Sequence, residues 1–295
     1  MSTLRAAMMG LGLACASSAL AQVDANCAGI AQPENYEEQV QQDFLQNYTA
    51  LGFTMSALHA PVPHEAGRGS IGLDLAVLPP LGCKRRFVLD WTKTEETNKL
   101  PVIPKPRLTF AFPALGPVRL YAGMAYLPPV TVDNNRVTLI SGEFGAGFVF
   151  GSSEKFQLGA RFHATSAKAV ADIATAFRIS DPAVLDYFQA NTFGLDASVG
   201  YALGTVTPWA SVGVTDVSTL FVVGDDGVIA NNLHPYAGPV ASVGVDGLVK
   251  DRFRWGAEFY AAPGGNSRPD PEASNVAFGR AGHLYTARFR VAVEL

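Results

Sequence analysis

The sequence predicts an all-β fold: a transmembrane antiparallel β-barrel of about twelve strands, within a range of about ten to fourteen, carrying a short N-terminal helix and one helical loop. Three observations predict it. The last stretch, His283 to Leu295, alternates with a period of two. Tyr285, Ala287, Phe289, Val291, Val293 and Leu295 point one way, while Thr286, Arg288, Arg290 and Glu294 point the other. Charged residues make up only 16% of the 295-residue chain, and hydrophobic ones 48%. About a quarter of a soluble protein is charged, so much of this surface need not face water. Finally, the connections between alternating segments are short and long in turn. Membrane barrels keep short turns at one end and long loops at the other, whereas a soluble sandwich has no reason to.

Residues 1–21 read as a signal peptide. Arg5 supplies the positive start, Ala6 to Ala16 the apolar core, and Ala19-Leu20-Ala21 a cleavage site before Gln22. The run is too short to span a membrane. The mature chain keeps two cysteines, Cys27 and Cys83. In an oxidising compartment they are expected to pair, with both placed at the periplasmic end. Two free thiols are the alternative, because sequence does not show that the Cβ atoms meet.

Residues 22–50 are polar and form an N-terminal periplasmic or plug segment. Tyr36, Val40, Phe44 and Tyr48 recur every fourth residue, after Pro33 and a capping Asn35, which predicts a helix with one apolar stripe. A mobile extension is the alternative reading.

Residues 51–295 form the barrel. Alternating segments fall at 52–59, 70–79, 85–92, 105–113, 117–126, 137–150, 154–166, 192–203, 206–215, 235–248, 251–262 and 283–295. Phe112, Phe150, Phe156, Tyr201 and Trp255 lie near one end of the apolar face, and Trp91, Tyr126, Phe193 and Tyr285 near the other. Two aromatic belts suit the two membrane interfaces. In the 167–191 loop, Lys168 to Phe177 reads as a helix and Asp181-Pro182 starts a second. Val184, Leu185, Tyr187 and Phe188 make this loop apolar enough to fold over the barrel mouth as a lid or to contact the lipid surface.

Parity assigns the polar face to the lumen. It holds Asp74, Asp90, Glu143, Asp196, Asp246, Glu258 and Glu294, with Arg107, Arg119, Arg161, Arg254, Arg288, Arg290 and His163. Cross-strand ion pairs that stiffen the wall are one reading; a mixed-charge filter for solutes is the other. Glycines share this face, among them Gly72, Gly145, Gly147, Gly159 and Gly256. They ease wall curvature or leave room for the helix or a solute.

No catalytic residue is assigned. A barrel hydrolase needs a base beside a hydroxyl, and in His163-Ala164-Thr165-Ser166 only Thr165 shares the face of His163. The histidines lack metal-ligand spacing. His59, His64, His234 and His283 fall near loops, where solvation is expected. No cofactor is expected, and a net charge of −4 offers no basic footprint for nucleic acid.

The C-terminal ending resembles the last strand of Gram-negative outer-membrane barrels, with Leu295 in place of the usual aromatic residue. Pro106-Arg107-Leu108-Thr109-Phe110-Ala111-Phe112-Pro113-Ala114-Leu115-Gly116-Pro117, running on through Tyr121 to Pro129, together with Phe44 to Tyr48, is similar to an uncharacterised family of outer-membrane barrels. The resemblance covers most of the mature chain and implies fold and location. It carries no site residues over. The expected function is passive passage of a small or hydrophobic solute. A structural or surface-interaction barrel with a closed lumen is the alternative, and a lipid-modifying enzyme the third reading. The expected partners are outer-membrane lipid, the barrel assembly machinery and a small solute.

Overall fold

Period-two alternation makes a wall here because one face of each strand meets apolar surroundings and the other a packed interior. The computed structural model describes residues 23–34, 36–98, 100–132, 135–151, 155–171, 173–174, 184–224, 228–231, 236–263 and 284–295. One α-helix, α1 (Glu38–Phe53), precedes β1 (Gly69–Val77), β2 (Phe87–Val88), β3 (Lys93–Thr94), β4 (Val102–Ala111), β5 (Val118–Val132), β6 (Asn135–Phe150), β7 (Phe156–Ala171), β8 (Asp186–Tyr201), β9 (Val206–Val223), β10 (Val228–Asn231), β11 (Ala237–Val249), β12 (Phe253–Ala262) and β13 (Leu284–Glu294). Ten strands close the barrel in the order β1, β4, β5, β6, β7, β8, β9, β11, β12, β13, with β13 returning to β1. Every pairing is antiparallel. No described helix is long and apolar enough to cross a membrane. Closure gives each of the ten wall strands a partner on both sides, as a backbone in lipid requires; β10 adds only to β9, beside the ring.

Parity holds along the wall. Phe144, Phe148, Phe253, Phe259, Tyr285 and Phe289 face outward, and Glu143, Arg288 and Arg290 inward. The outer face carries both predicted aromatic belts except for Trp91, which stacks on Phe87 away from the barrel wall.

The barrel has ten strands rather than about twelve because two alternating segments are something else. Residues 52–59 end α1 and continue as an irregular strand-free segment, buried throughout. Phe53, Met55 and Ala57 mimic a strand pattern, but their neighbours Thr54, Ser56 and Leu58 are buried too. Residues 85–92 contain only the first arm of the β2–β3 hairpin, turned by Leu89, Asp90 and Trp91 at φ of 50°, 50° and 67°. Asp90 is therefore an exposed turn residue, not a lumen group.

These two corrections reverse the chain's entry. Short turns after β4, β6, β8 and β11 gather with the C-terminus at one end, the turn end. β1 starts there, so the whole 78–101 connection lies at the opposite, loop end. Cys83 sits in that connection and is joined to Cys27, with Cα atoms 5.4 Å apart. The expected pair is joined in this structure, but at the loop end rather than in a short turn beside the C-terminus. A false strand at 85–92 had split one long connection into a short turn and a long loop. The N-terminal segment likewise lies at the loop end. From there α1 enters the lumen, and residues 54–64 run down it to β1.

Other connections differ in the same direction. Lys168 to Ala171 continue β7 instead of forming a helix, and Asp186 to Asn191 belong to β8. The expected second helix, at 181, lies outside the described residues. β5 reaches Val132 and pairs it with Asn135 of β6, so most of the expected 127–136 loop is strand.

Labelling tests the threading. In proteoliposomes, Gln32→Cys and Asp251→Cys are expected to react with a membrane-impermeant maleimide from opposite sides. Reaction from the same side would return the N-terminal segment to the turn end.

Candidate functional site

The lumen is where the buried charges collect, and it is filled. Six acids (Asp74, Glu143, Asp196, Asp246, Glu258, Glu294) face six bases (Lys105, Arg107, Arg161, Arg254, Arg288, Arg290). Asp90 leaves the predicted set. Arg119 keeps inner-face parity but sits at the turn-end mouth, donating to the carbonyls of Gly116 and Val118. Lys105 joins the set, sharing the parity of Arg107 two residues on.

At the loop-half level the wall finishes the helix. The last carbonyls of a helix have no partner within it and carry partial negative charge. Arg288 donates to the carbonyls of Leu51 and Thr54, each at 3.0 Å. Lys105 Nζ donates to Thr54 at 2.8 Å and to Gly52 at 3.4 Å. The Arg288 guanidinium lies 3.9 Å from the centre of the Tyr260 ring, and Glu258 is its register partner on β12.

The middle level is an ionic girdle around the descending segment. Arg107 donates to Ser56 O at 3.1 Å and Asp74 Oδ2 at 2.9 Å, and also bonds Glu143. Arg161 donates to Glu143 Oε2 at 3.1 Å, Asp196 Oδ2 at 3.0 Å and Met55 O at 3.4 Å. Glu143 thus bridges two arginines, and His59 Nε2 lies 3.6 Å from it. The Nδ1–H of His59 donates to Ala60 O at 2.7 Å. His163 Nε2 lies 3.5 Å from Asp196.

At the turn end the segment is tied again. Ala60 N–H donates to Asp246 at 3.2 Å and Val62 N–H to Gln157 at 3.3 Å. Arg254 joins Asp246 to Glu294. Gly147, Gly159 and Gly200 pass close to Pro61: an added Cβ would stand 2.5 Å from Pro61 O at the first and 2.8 Å from Pro61 Cδ at the last. These lumen glycines make room for the segment, while Gly72 and Gly213 instead abut neighbouring strands.

His59 and His64 are buried here rather than solvated; His234 and His283 lie outside the described residues. Sequence gave no sign of the arrangement around His64. Its Nδ1 lies 3.0 Å from Glu294, and its Nε2 lies 3.4 Å from Ser70 Oγ. The order hydroxyl, imidazole, carboxylate is that of a nucleophilic triad. Ser70 has no exposed surface, however, and its oxygen also accepts from Arg290 at 2.9 Å. Thr165, which shares the face of His163, bonds Met55 N–H and Ser141 rather than His163. Among the described residues no group of three or more His, Cys, Asp or Glu is arranged to hold a metal.

Above the lumen a cap surrounds the Cys27–Cys83 bond. Tyr36 and Trp91 meet edge to face at 5.1 Å, and Trp91 Nε1 donates to Ile30 O at 2.9 Å. The Asn26 backbone N–H and the Arg86 guanidinium hold the Asp24 carboxyl below its ordinary 3.8. Burial, with Glu38 and Asp90, pushes Tyr36 up to about 12. Asp24's contribution is thus present above its unfolded value and lost as pH falls through its lower folded one. Tyr36 contributes fully below about 10 and loses that contribution as pH rises toward 12.

No protein-family model matches the chain, and no curated protein matches it by sequence. Among solved structures it is similar to the translocator domain of the autotransporter NalP from Neisseria meningitidis, at 10% identity and TM-score 0.41, covering 78% of this chain and 88% of that one. It is also similar to Ail, the attachment invasion locus protein of Yersinia pestis, at 8% identity and TM-score 0.33, covering 78% and 100%. A third is the toluene transporter TodX of Pseudomonas putida, at 12% identity and TM-score 0.33, covering 82% and 73%. The barrel description rests on this chain's own closed sheet and apolar outer face.

Two outcomes follow from the geometry. Glu143→Ala leaves Arg107 and Arg161 each short of a buried partner, and is expected to lower unfolding stability in urea by about 3–5 kcal/mol. Ser70 is expected to stay unlabelled by a fluorophosphonate in the folded protein, read by intact mass.

Proposed function

We propose that this is an outer-membrane barrel closed along its axis by its own N-terminal segment, and that it acts at the loop end, where the disulfide-tied cap is presented. In this reading the turn end faces the periplasm and the cap faces outward. Surrounding lipid and the barrel assembly machinery are its expected partners. The observation that carries the reading is the run of wall cations bonded to segment carbonyls, from Arg288 on Leu51 to Arg107 on Ser56. Withdrawing the segment would leave those cations and the girdle carboxylates to rearrange together. Breaking even one buried pair costs about 3–5 kcal/mol. An aqueous path for ions is therefore disfavoured, as is a catalytic role for hydroxyls sealed beneath the segment. The geometry favours the closed-lumen, surface-interaction reading over passive aqueous passage.

A second reading, passage of a hydrophobic solute, keeps one point in its favour: an apolar cavity beside α1 in the loop half.

Planar-bilayer recording tests the proposal. The intact protein is expected to give no conductance steps, and a variant lacking residues 24–64 to give ohmic steps with weak ion selectivity. Steady conductance from the intact, oxidised protein would overturn it.

A further inference from the structure

The barrel wall is not zipped along its whole height. β4 pairs with β5 only from Arg107↔Ala125 to Ala111↔Tyr121. Above that level β4 stays on β1 up to Val77↔Val102, and β5 stays on β6 up to Val132↔Asn135. The two strands part from each other there while keeping their outer neighbours.

Sequence accounts for the parting. Phe112 N–H donates to Leu120 O on β5, and Ala111 N–H to Arg68 O on the other side. Even-numbered N–H groups of β4 therefore face β5. Pro104 and Pro106 lack those donors. Across the seam, Pro128 and Pro129 lie at the bulge that shifts β5 between Leu127 and Val130, and neither can donate. In lipid an unpaired donor is costly, so prolines are the residues that let a seam stand open. The parting begins level with Tyr126 and Ile140, exposed residues on the upper part of the apolar face.

A cavity of about 170 Å³ lies inside, between α1 and the wall. Tyr48 and Phe53 of α1, Leu78, Ala169 and Phe188 line it, together with Ile103 from the parted length of β4. Three of its polar side chains are spent within the protein, and the Glu96 carboxylate also lines it. Tyr48 donates to Pro79 O, Thr49 to Leu45 O, and Asn98 pairs both ways with Leu81. The Thr97 hydroxyl is buried with no partner among the described residues. An apolar cavity of about 150 Å³ in another protein stays dry and takes up benzene.

We infer that this cavity is a binding site for a neutral apolar molecule the size of one substituted aromatic ring, exchanging with the membrane through the parted β4–β5 seam. Thr97 offers one hydrogen bond to a hydroxyl or carbonyl on that molecule. The site lies beside the closed axis rather than along it, so it does not require the segment to move.

Fluorine NMR on the full chain in nanodiscs tests this, with fluorobenzene and 4-fluorophenol as probes and empty nanodiscs as the partition control. Wild type is expected to bind both above the control. Ala169→Phe fills the cavity and is expected to weaken both at least tenfold. Thr97→Val is expected to weaken 4-fluorophenol severalfold and leave fluorobenzene unchanged, which a loss of folding would not do. Pro104→Val with Pro106→Val restores two donors and is expected to slow exchange without changing affinity. Heat-modifiable gel mobility checks that each variant is folded. Signals equal to empty nanodiscs in wild type, or equal binding in folded Ala169→Phe, would overturn the site. Unchanged exchange in the double proline variant would overturn the seam as its door.

Discussion

Five backbone carbonyls that have left water set the terms for this molecule. Those of Leu51, Gly52, Thr54, Met55 and Ser56 sit inside the barrel, at the end of α1 and just beyond it. Four wall cations answer them: Arg288, Lys105, Arg161 and Arg107. A buried carbonyl without a partner costs on the order of 1–3 kcal/mol, and a buried cation without one costs more. Each side solves the other's problem. The carboxylates Asp74, Glu143 and Asp196 then balance the remaining positive charge. This is why equal numbers of acids and bases line the lumen among the described residues.

The same constraint explains the glycines and the disulfide. A chain passing down a ten-stranded barrel needs width, and Gly147, Gly159 and Gly200 give it at Pro61. Above, a bond between Cys27 and Cys83 closes a sequence separation of 56. In the chain-entropy model such a closure contributes about 4 kcal/mol, often less in practice. It also fixes α1 to the connection that covers it, so wall, segment and cap form one packed unit.

The wall was legible in the sequence because lipid and lumen impose opposite chemistries on alternate residues. Phe148 against Glu143, or Phe289 against Arg288, can be read without coordinates. The threaded segment was not legible, for a physical reason. A chain buried on every side has no face to mark, so Gly52 to His59 carried a false strand signal. α1 hid in the same way. Its buried side includes Gln41, Asp43, Gln46 and Asn47 as well as the predicted Phe44 and Tyr48. The cysteines announced their pairing, but the end they occupy depended on counting strands. One false strand at 85–92 was enough to invert it. His64, Ser70 and Glu294 meet only because the barrel closes β13 onto β1, and no local pattern connects them.

Residues 54–64 are part of the folded interior. Hydrogen–deuterium exchange of the amides of Met55, Ala60 and Val62, which donate to Thr165, Asp246 and Gln157, tests this placement most directly. Protection comparable to that of the β6 and β7 amides in the same sample is expected. Complete exchange within seconds, with those strands still protected, would contradict it.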